Sequence, residues 1–317
     1  MRLVVAAAWA FCCCAASIDD QQFNGRWDIT VNGERGRAWW LEVVGAGTST
    51  VKGRFVGAPS GQLDEIPKLS VSDGELRFAL EHRYSRDPRT LQKGLYYARL
   101  EEGKLKGTFE IEGDPSTYLE WVGVRAPIIN DKDDGTWKKG EPIPLYNGKD
   151  LTGWAPQYPN RPLGWSVRDG VLVNVAGTNN LVSEKKFWNF ALHMEFRAGP
   201  RSNSGIGLRG RYEVQIVDDF DRPVSIRGSG SIYDRIAPVM NASDLPGEWQ
   251  TYDIRLVGRQ VTVVLNGMRV IDKQTIDGLT AIAIDANEAE PGPIILQGDH
   301  GPIEFRKIIL YPLTKQH

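Results

Sequence analysis

The sequence predicts an all-β protein of two domains, a small β-barrel followed by a larger two-sheet sandwich. Three observations predict it. Apolar residues recur at every second position through most of the chain, which is the period of a half-buried strand. Turn signals rich in Gly, Asn and Asp punctuate these runs at hairpin spacing. No long stretch carries the period of an amphipathic helix. The 317 residues suffice for about two domains. The 38 Lys and Arg nearly balance 40 Asp and Glu, without a basic run, so nucleic acid is excluded as a partner. Ten tryptophans and ten tyrosines supply sandwich core or sugar-stacking platforms.

Residues 1–17 read as a signal peptide. Arg2 gives the positive start, the run from Leu3 to Cys14 is apolar, and Ala15, Ala16 and Ser17 suit cleavage. The run is too short to span a bilayer, and no later run is long and apolar enough to be transmembrane. All three cysteines, Cys12, Cys13 and Cys14, fall inside it. The mature chain then has no disulfide or thiol chemistry, which suits a secreted or periplasmic bacterial protein. A lipid anchor on one of these cysteines is the weaker alternative, because Ala10-Phe11 before Cys12 makes a poor lipobox.

Residues 23–125 alternate repeatedly. Trp27, Ile29 and Val31 share one face, as do Trp39, Leu41 and Val43, then Leu76, Phe78 and Leu80, then Tyr96, Ala98 and Leu100. Asn32-Gly33, Asp73-Gly74 and Glu102-Gly103 mark the turns. About eight short strands at this spacing favour an up-and-down barrel. The opening Gly25-x-Trp27 resembles that of a lipocalin-like barrel. The interior is read as packed core, making this an accessory domain rather than a pocket for an apolar ligand. Residues 126–140 hold prolines, aspartates and lysines with no apolar period, and read as a linker.

Residues 141–312 are again nearly all strand. Asn266-Gly267 between two alternating runs is a hairpin turn. Ser183-Glu-Lys-Lys-Phe187 reads as a helical turn. Strand spacing sustained over about 170 residues suggests a two-sheet jelly roll of concanavalin type. NSGIGLRGRYEVQIVDD (203–219) reads as two strands joined at Gly210. Ile206, Leu208, Val214 and Ile216 belong to the core; Gly205, Gly207, Arg209, Glu213 and Gln215 take the opposite face. In the same way Leu192, Met194 and Phe196 alternate with His193, Glu195 and Arg197. A curved sheet is expected to gather Glu195, Arg197, Arg209, Glu213 and Gln215 on one concave face. Gln297, the loop with Asp299 and His300, and Arg306 follow late in the chain.

Several ordered motifs carry a family resemblance. They are LYNGKDLTGW (145–154), GWSVRDGVLV (164–173), LVSEKKFWNFALHMEFR (181–197), NSGIGLRGRYEVQIVDD, GSGSIYDRIAP (228–238), GEWQTYDI (247–254) and GPIILQGDHGPIEFRKIIL (292–310). Together they resemble the 3-keto-disaccharide hydrolase family across the second domain, and nothing in the first. The resemblance implies a jelly roll related to β-glucanases and legume-type lectins, bacterial export, and cleavage of glycosides whose sugar is oxidised at C3.

Glucanases of that fold use a strand with two carboxylates in phase, about 5 Å apart in the retaining geometry. Here Glu213 is followed in phase by Gln215 and Val217, and Asp218 and Asp219 fall at the strand end. A 3-keto sugar needs no such pair. Its carbonyl acidifies the C2 proton, so one base, one stabiliser of the enolate oxygen and one acid suffice for β-elimination and rehydration. His300, a loop residue that titrates near neutrality, or Glu213 is the candidate base. Tyr233 or Asp218 is the candidate acid. Arg209, Gln215 or a bound cation would hold the oxyanion. Glu195, Arg197, Gln297 and Arg306 complete the candidate saccharide site. No cofactor is expected, with a divalent cation such as Ca²⁺ kept as an alternative. The rival readings are a non-catalytic carbohydrate-binding module on the same fold and an exported interaction scaffold.

Overall fold

The computed structural model describes residues 19–33, 37–58, 60–83 and 90–315. The expected signal peptide and its three cysteines lie outside the described residues. Among those described, no helix is long and apolar enough to cross a membrane.

The first domain is one curled antiparallel sheet of nine strands, from Gly25–Val31 to Asp114–Arg125. Sequence neighbours pair, and the first strand pairs with the last, the order of an up-and-down barrel. The count expected from turns was eight, and the barrel is open at one seam. Leu63–Glu65 and Leu69–Ser72 do not bond, so the sheet is a half-barrel. Between them Ile66 turns inward, is buried, and donates its N–H to Gly53 O at 2.9 Å. Side chains fill the interior, with Phe78 and Tyr96 stacked at 4.4 Å and Trp39 edge-on to Phe55 at 5.7 Å. Trp27 closes one end. Its Nε1 donates to Phe23 O at 3.0 Å, and the Arg125 guanidinium lies 3.8 Å above its ring.

The second domain is a sandwich of a nine-stranded and a five-stranded sheet. The larger sheet carries Phe190–Ala198, Trp249–Val257 and Ile303–Lys315 at its centre. The smaller runs through Leu181–Phe187, Gly292–Leu296, Asn203–Leu208 and Tyr212–Val217. Leu192, Met194 and Phe196 from one sheet meet Ile206, Val214 and Ile216 from the other in a common core. The stretch read as a helical turn is strand. Its polar run hides a register shift between Val182 and Lys186, where Ser183 Oγ takes the Ile294 N–H at 2.9 Å.

Residues 126–140 are bound along the jelly roll rather than free. Trp137–Lys139 pairs with the C-terminal strand. Asp131 accepts from Trp188 Nε1 and Asn189 Nδ2, both at 2.8 Å, and Asp133 pairs with Arg255 at 2.7 Å. A composition without apolar period still docks when its carboxylates find buried donors.

One strand is a wall shared by both domains. In Ala38–Val44, Trp39 enters the half-barrel core while Trp40, on the other face, enters the jelly-roll core. Arg235 stacks 4.0 Å from Trp40, and a Cβ on Gly278 would lie 2.3 Å from its indole. Ala38 N donates to Ala283 O at 2.9 Å. Arg54 bridges Glu42 of the half-barrel and Asp277 of the jelly roll at 2.5 and 2.8 Å.

Candidate active site

A polar cavity of about 270 Å³ opens between the five-stranded sheet and the half-barrel. Glu213 and Gln215 point into it from Tyr212–Val217, as strand parity predicts, while Val214 and Ile216 point to the core. The neighbouring strand makes room for the acid. A Cβ on Gly205 would sit 2.4 Å from Glu213 Oε1, so only a glycine leaves the carboxyl its place. Gln215 Nε2 donates to Asn203 Oδ1 at 3.2 Å. Gln297, just past Gly292–Leu296, and Tyr233 also line the cavity. Gln215 Oε1 and Gln297 Oε1 are buried with no donor among the described residues. Two orphaned amide acceptors in a polar cavity match the donating hydroxyls of a sugar.

His300 stands at the same cavity, about half exposed, with Nδ1 2.8 Å from Asp299 Oδ1. If Nδ1 carries the proton it donates to Asp299, and the lone pair at Nε2 is left to act as base. The loop is held from below. Asn180 Oδ1 accepts the N–H groups of Gly298 and Asp299 at 2.8 and 3.2 Å, and its Nδ2 donates to Gln157 Oε1 at 2.8 Å.

The site's charges follow from burial and pairing. Burial pushes the Glu213 carboxyl up to about 8; the positive His300 opposes this, and Asp299 and Asp234 add to it. Glu213 is therefore mostly protonated near neutrality. His300 is raised above its ordinary value, chiefly by its hydrogen bond to Asp299. Burial works to raise Asp299, yet the hydrogen bond and charge of His300 outweigh it and hold the carboxyl below the usual range. Among the described residues no group of three His, Cys, Asp or Glu side chains converges as a metal site.

Five expected site residues lie elsewhere. Glu195, Arg197 and Arg306 alternate out of the core as expected, but their strands belong to the nine-stranded sheet. The outward faces of two packed sheets point in opposite directions, so these residues sit on the far surface. There Arg306 pairs with Glu195, Arg197 pairs with Glu304, and both guanidiniums cover Trp249 at 4.3 and 4.8 Å. Arg209 leaves the strand at φ 52° and is fully buried; its Nη2 donates to Gly258 O at 2.6 Å, and its guanidinium lies 4.2 Å over Trp188. Asp218 accepts the Arg201 N–H at 2.7 Å and braces that loop, outside the cavity. Tyr233, Glu213, Gln215, Gln297 and His300 are brought together.

Sequence reasoning missed Asn180, Asn203, Tyr158 and, from the half-barrel, Arg37 and Ser60, all at the cavity. Asp299 was legible as the neighbour of His300, and Asn203 as the partner of the Gln215 strand. Asn180 and Arg37 carry no local signal, because only long-range packing brings them here.

A concanavalin A-like jelly roll with amides, a buried acid and an Asp-His pair around a small polar cavity is the construction of a carbohydrate-active protein. Residues 141–310 match the 3-keto-alpha-glucoside-1,2-lyase-like domain, and the chain belongs to that family. The half-barrel lies outside the match. Among solved structures, a proposed glycosyl hydrolase of Parabacteroides distasonis is 29% identical over 59% of this chain and 91% of its own, with a TM-score of 0.46. A second from the same organism is 25% identical over 55% of this chain and 100% of its own, at 0.44. A non-specific endo-beta-1,3(4)-glucanase is 12% identical over 61% of this chain and 95% of its own, at 0.36. A comparison with curated proteins finds no match.

Proposed function

We propose that the jelly roll cleaves 3-keto-glucosides by β-elimination between C1 and C2, followed by addition of water. The observation that carries this reading is the pairing of an Asp299-oriented histidine with a buried acid, Glu213, raised to about 8. His300 Nε2 takes the C2 proton, and the electron pair forms the C2–C3 double bond as the carbonyl becomes an enolate. The enolate reforms the carbonyl, C1–C2 becomes double, and the C1–O bond breaks. Glu213 gives its proton to the leaving oxygen. Water adding across C1–C2 then yields the free 3-keto sugar, with net hydrolysis. Tyr233 and the Gln215 amide are the donors placed to hold the enolate oxygen. An acid and a base with separated roles in one site are what such a step needs.

The reaction requires the ketone, since an ordinary glucoside has an unactivated C2 proton. Incubating methyl 3-keto-α-glucopyranoside and its unoxidised parent with the protein in D₂O tests this. The expected outcome is cleavage of the keto compound alone, with deuterium entering at C2. Cleavage of the parent at a similar rate, or a glycosyl adduct trapped on Glu213, would replace elimination with displacement. The leader-like residues 1–17 put this reaction outside the cytoplasm on the same reading, which the mass of the mature N-terminus checks.

A further inference from the structure

We propose that the half-barrel is part of the substrate site: it walls the cavity so that only a terminal 3-keto-pyranose ring enters, and Arg37 is a specificity-determining contact for the group on C1. This rests on the function proposed above for the jelly roll and adds a substrate class to it.

Three observations carry the inference. First, the cavity is built by both domains. Arg37, Trp39, Val56, Gly57, Ser60 and Gly61 of the half-barrel face Glu213, Gln215 and His300 across it. Second, that wall is fixed rather than hinged. Trp40 and Ala38 are buried in the jelly-roll core, Leu63 N donates to Asp234 Oδ2 at 3.1 Å, and Arg54 joins carboxylates of both domains. Gly61, at φ 64°, brings the half-barrel backbone so near the jelly roll that a Cβ there would lie 3.2 Å from the Ala281 Cβ. Third, the space is small. About 270 Å³ is just below the ~300 Å³ at which ordinary ligand pockets begin. A pyranose ring fits such a space; a saccharide chain passing through it does not.

The direction of the ring follows from the chemistry. The leaving group on C1 must exit to solvent, so C1 faces the mouth and the far edge, with O4, faces the closed end of the cavity, where Trp39, Val56 and Gly57 are buried. Arg37 stands at that mouth. It is exposed, makes no hydrogen bond or ion pair among the described residues, and its charge is felt by both His300 and Asp299. An unpaired guanidinium there offers several N–H donors to the hydroxyls of a C1 substituent.

Calorimetric titration of the Glu213→Gln protein, with slowed chemistry, reads this apart from turnover. Three probes suffice: methyl 3-keto-α-glucopyranoside, maltose oxidised at C3 of its non-reducing ring, and maltotriose oxidised at C3 of its middle ring. The first two are expected to bind, and the third, substituted at both C1 and O4, to bind at least 100-fold more weakly. Arg37→Ala is expected to weaken the maltose derivative about tenfold and the methyl glycoside less than twofold, because methyl reaches no donor. Equal binding of the middle-ring probe, an equal loss for both smaller probes, no loss for either, or no binding of any probe overturns the proposal. Absence of turnover by the unsubstituted protein counts against the lyase reading alone, since the binding series still decides the wall.

Discussion

At the scale of single residues, the candidate site sets two groups against each other. His300 must be neutral to take a proton, and Glu213 must be protonated to give one. Activity is therefore expected to rise as pH passes the raised His300 value, and to fall as Glu213 ionises near about 8. Each group lies in the other's field, so both limbs of the profile report the pair. Glu213→Gln cannot lose a proton and cannot give one. It should lower kcat by roughly 10²–10⁴-fold and abolish the alkaline limb. A pH profile of kcat/KM that keeps its alkaline limb in this variant would show that the acid is another group. Binding should change less than kcat, because the proton moves only in the transition state.

At the scale of the strand pair, Gly205 decides where the acid stands. Asn203–Leu208 and Tyr212–Val217 run antiparallel with Gly205 opposite Gln215, and the Glu213 carboxyl leans over the glycine. Gly205→Ala would put a methyl 2.4 Å from Oε1. The clash also takes in the Glu213 Cγ at 2.9 Å, so the whole buried side chain must shift and not the carboxyl alone. The expected outcome is a loss of kcat of about tenfold or more, with a stability loss of about 1–3 kcal/mol from the overpacked site. Measuring turnover and urea unfolding on one preparation checks both halves. Full activity in this variant would mean that the carboxyl is not positioned by the strand pair.

At the scale of the whole molecule, the two domains meet around a buried pair of acids. Asp28 of the half-barrel is fully buried beside Glu288, which accepts the Tyr212 hydroxyl at 2.5 Å and pairs with Arg259. Burial first, then the Glu288 charge, pushes Asp28 up to about 9. In the unfolded chain the same carboxyl releases its proton near about 4. Between those values the folded state holds one proton more, so this group's stabilisation is full below about pH 4 and is lost as pH rises to about 9. Asp28→Asn keeps the shape and removes the titration. The expected result is a Tm that falls less between pH 5 and pH 9 than in the parent protein. Equal falls in both proteins would mean that Asp28 is already ionised in the folded interface.

Local pattern was enough for much of this protein. Alternation along a strand is a property of the backbone itself, so the sequence alone assigned the all-β class and the core side of Leu192, Ile206 and Val214. It also put Glu213 and Gln215 on a common polar face. The loop residue His300 and the ordered motifs of residues 141–312 were legible for the same local reason. Sheet membership is not local. Glu195 and Arg306 obey the same alternation as Glu213, yet long-range pairing puts Phe190–Ala198 beside Trp249–Val257 and the C-terminal strand, in the opposite sheet. Arg209 reads as a polar-face residue, but a turn at positive φ swings it into a buried stack on Trp188. The cavity needs Asn180, Gln297 and Arg37 from distant stretches of chain. Only the tertiary structure brings them together, because the packing of Trp40 into the jelly-roll core fixes the half-barrel against the site.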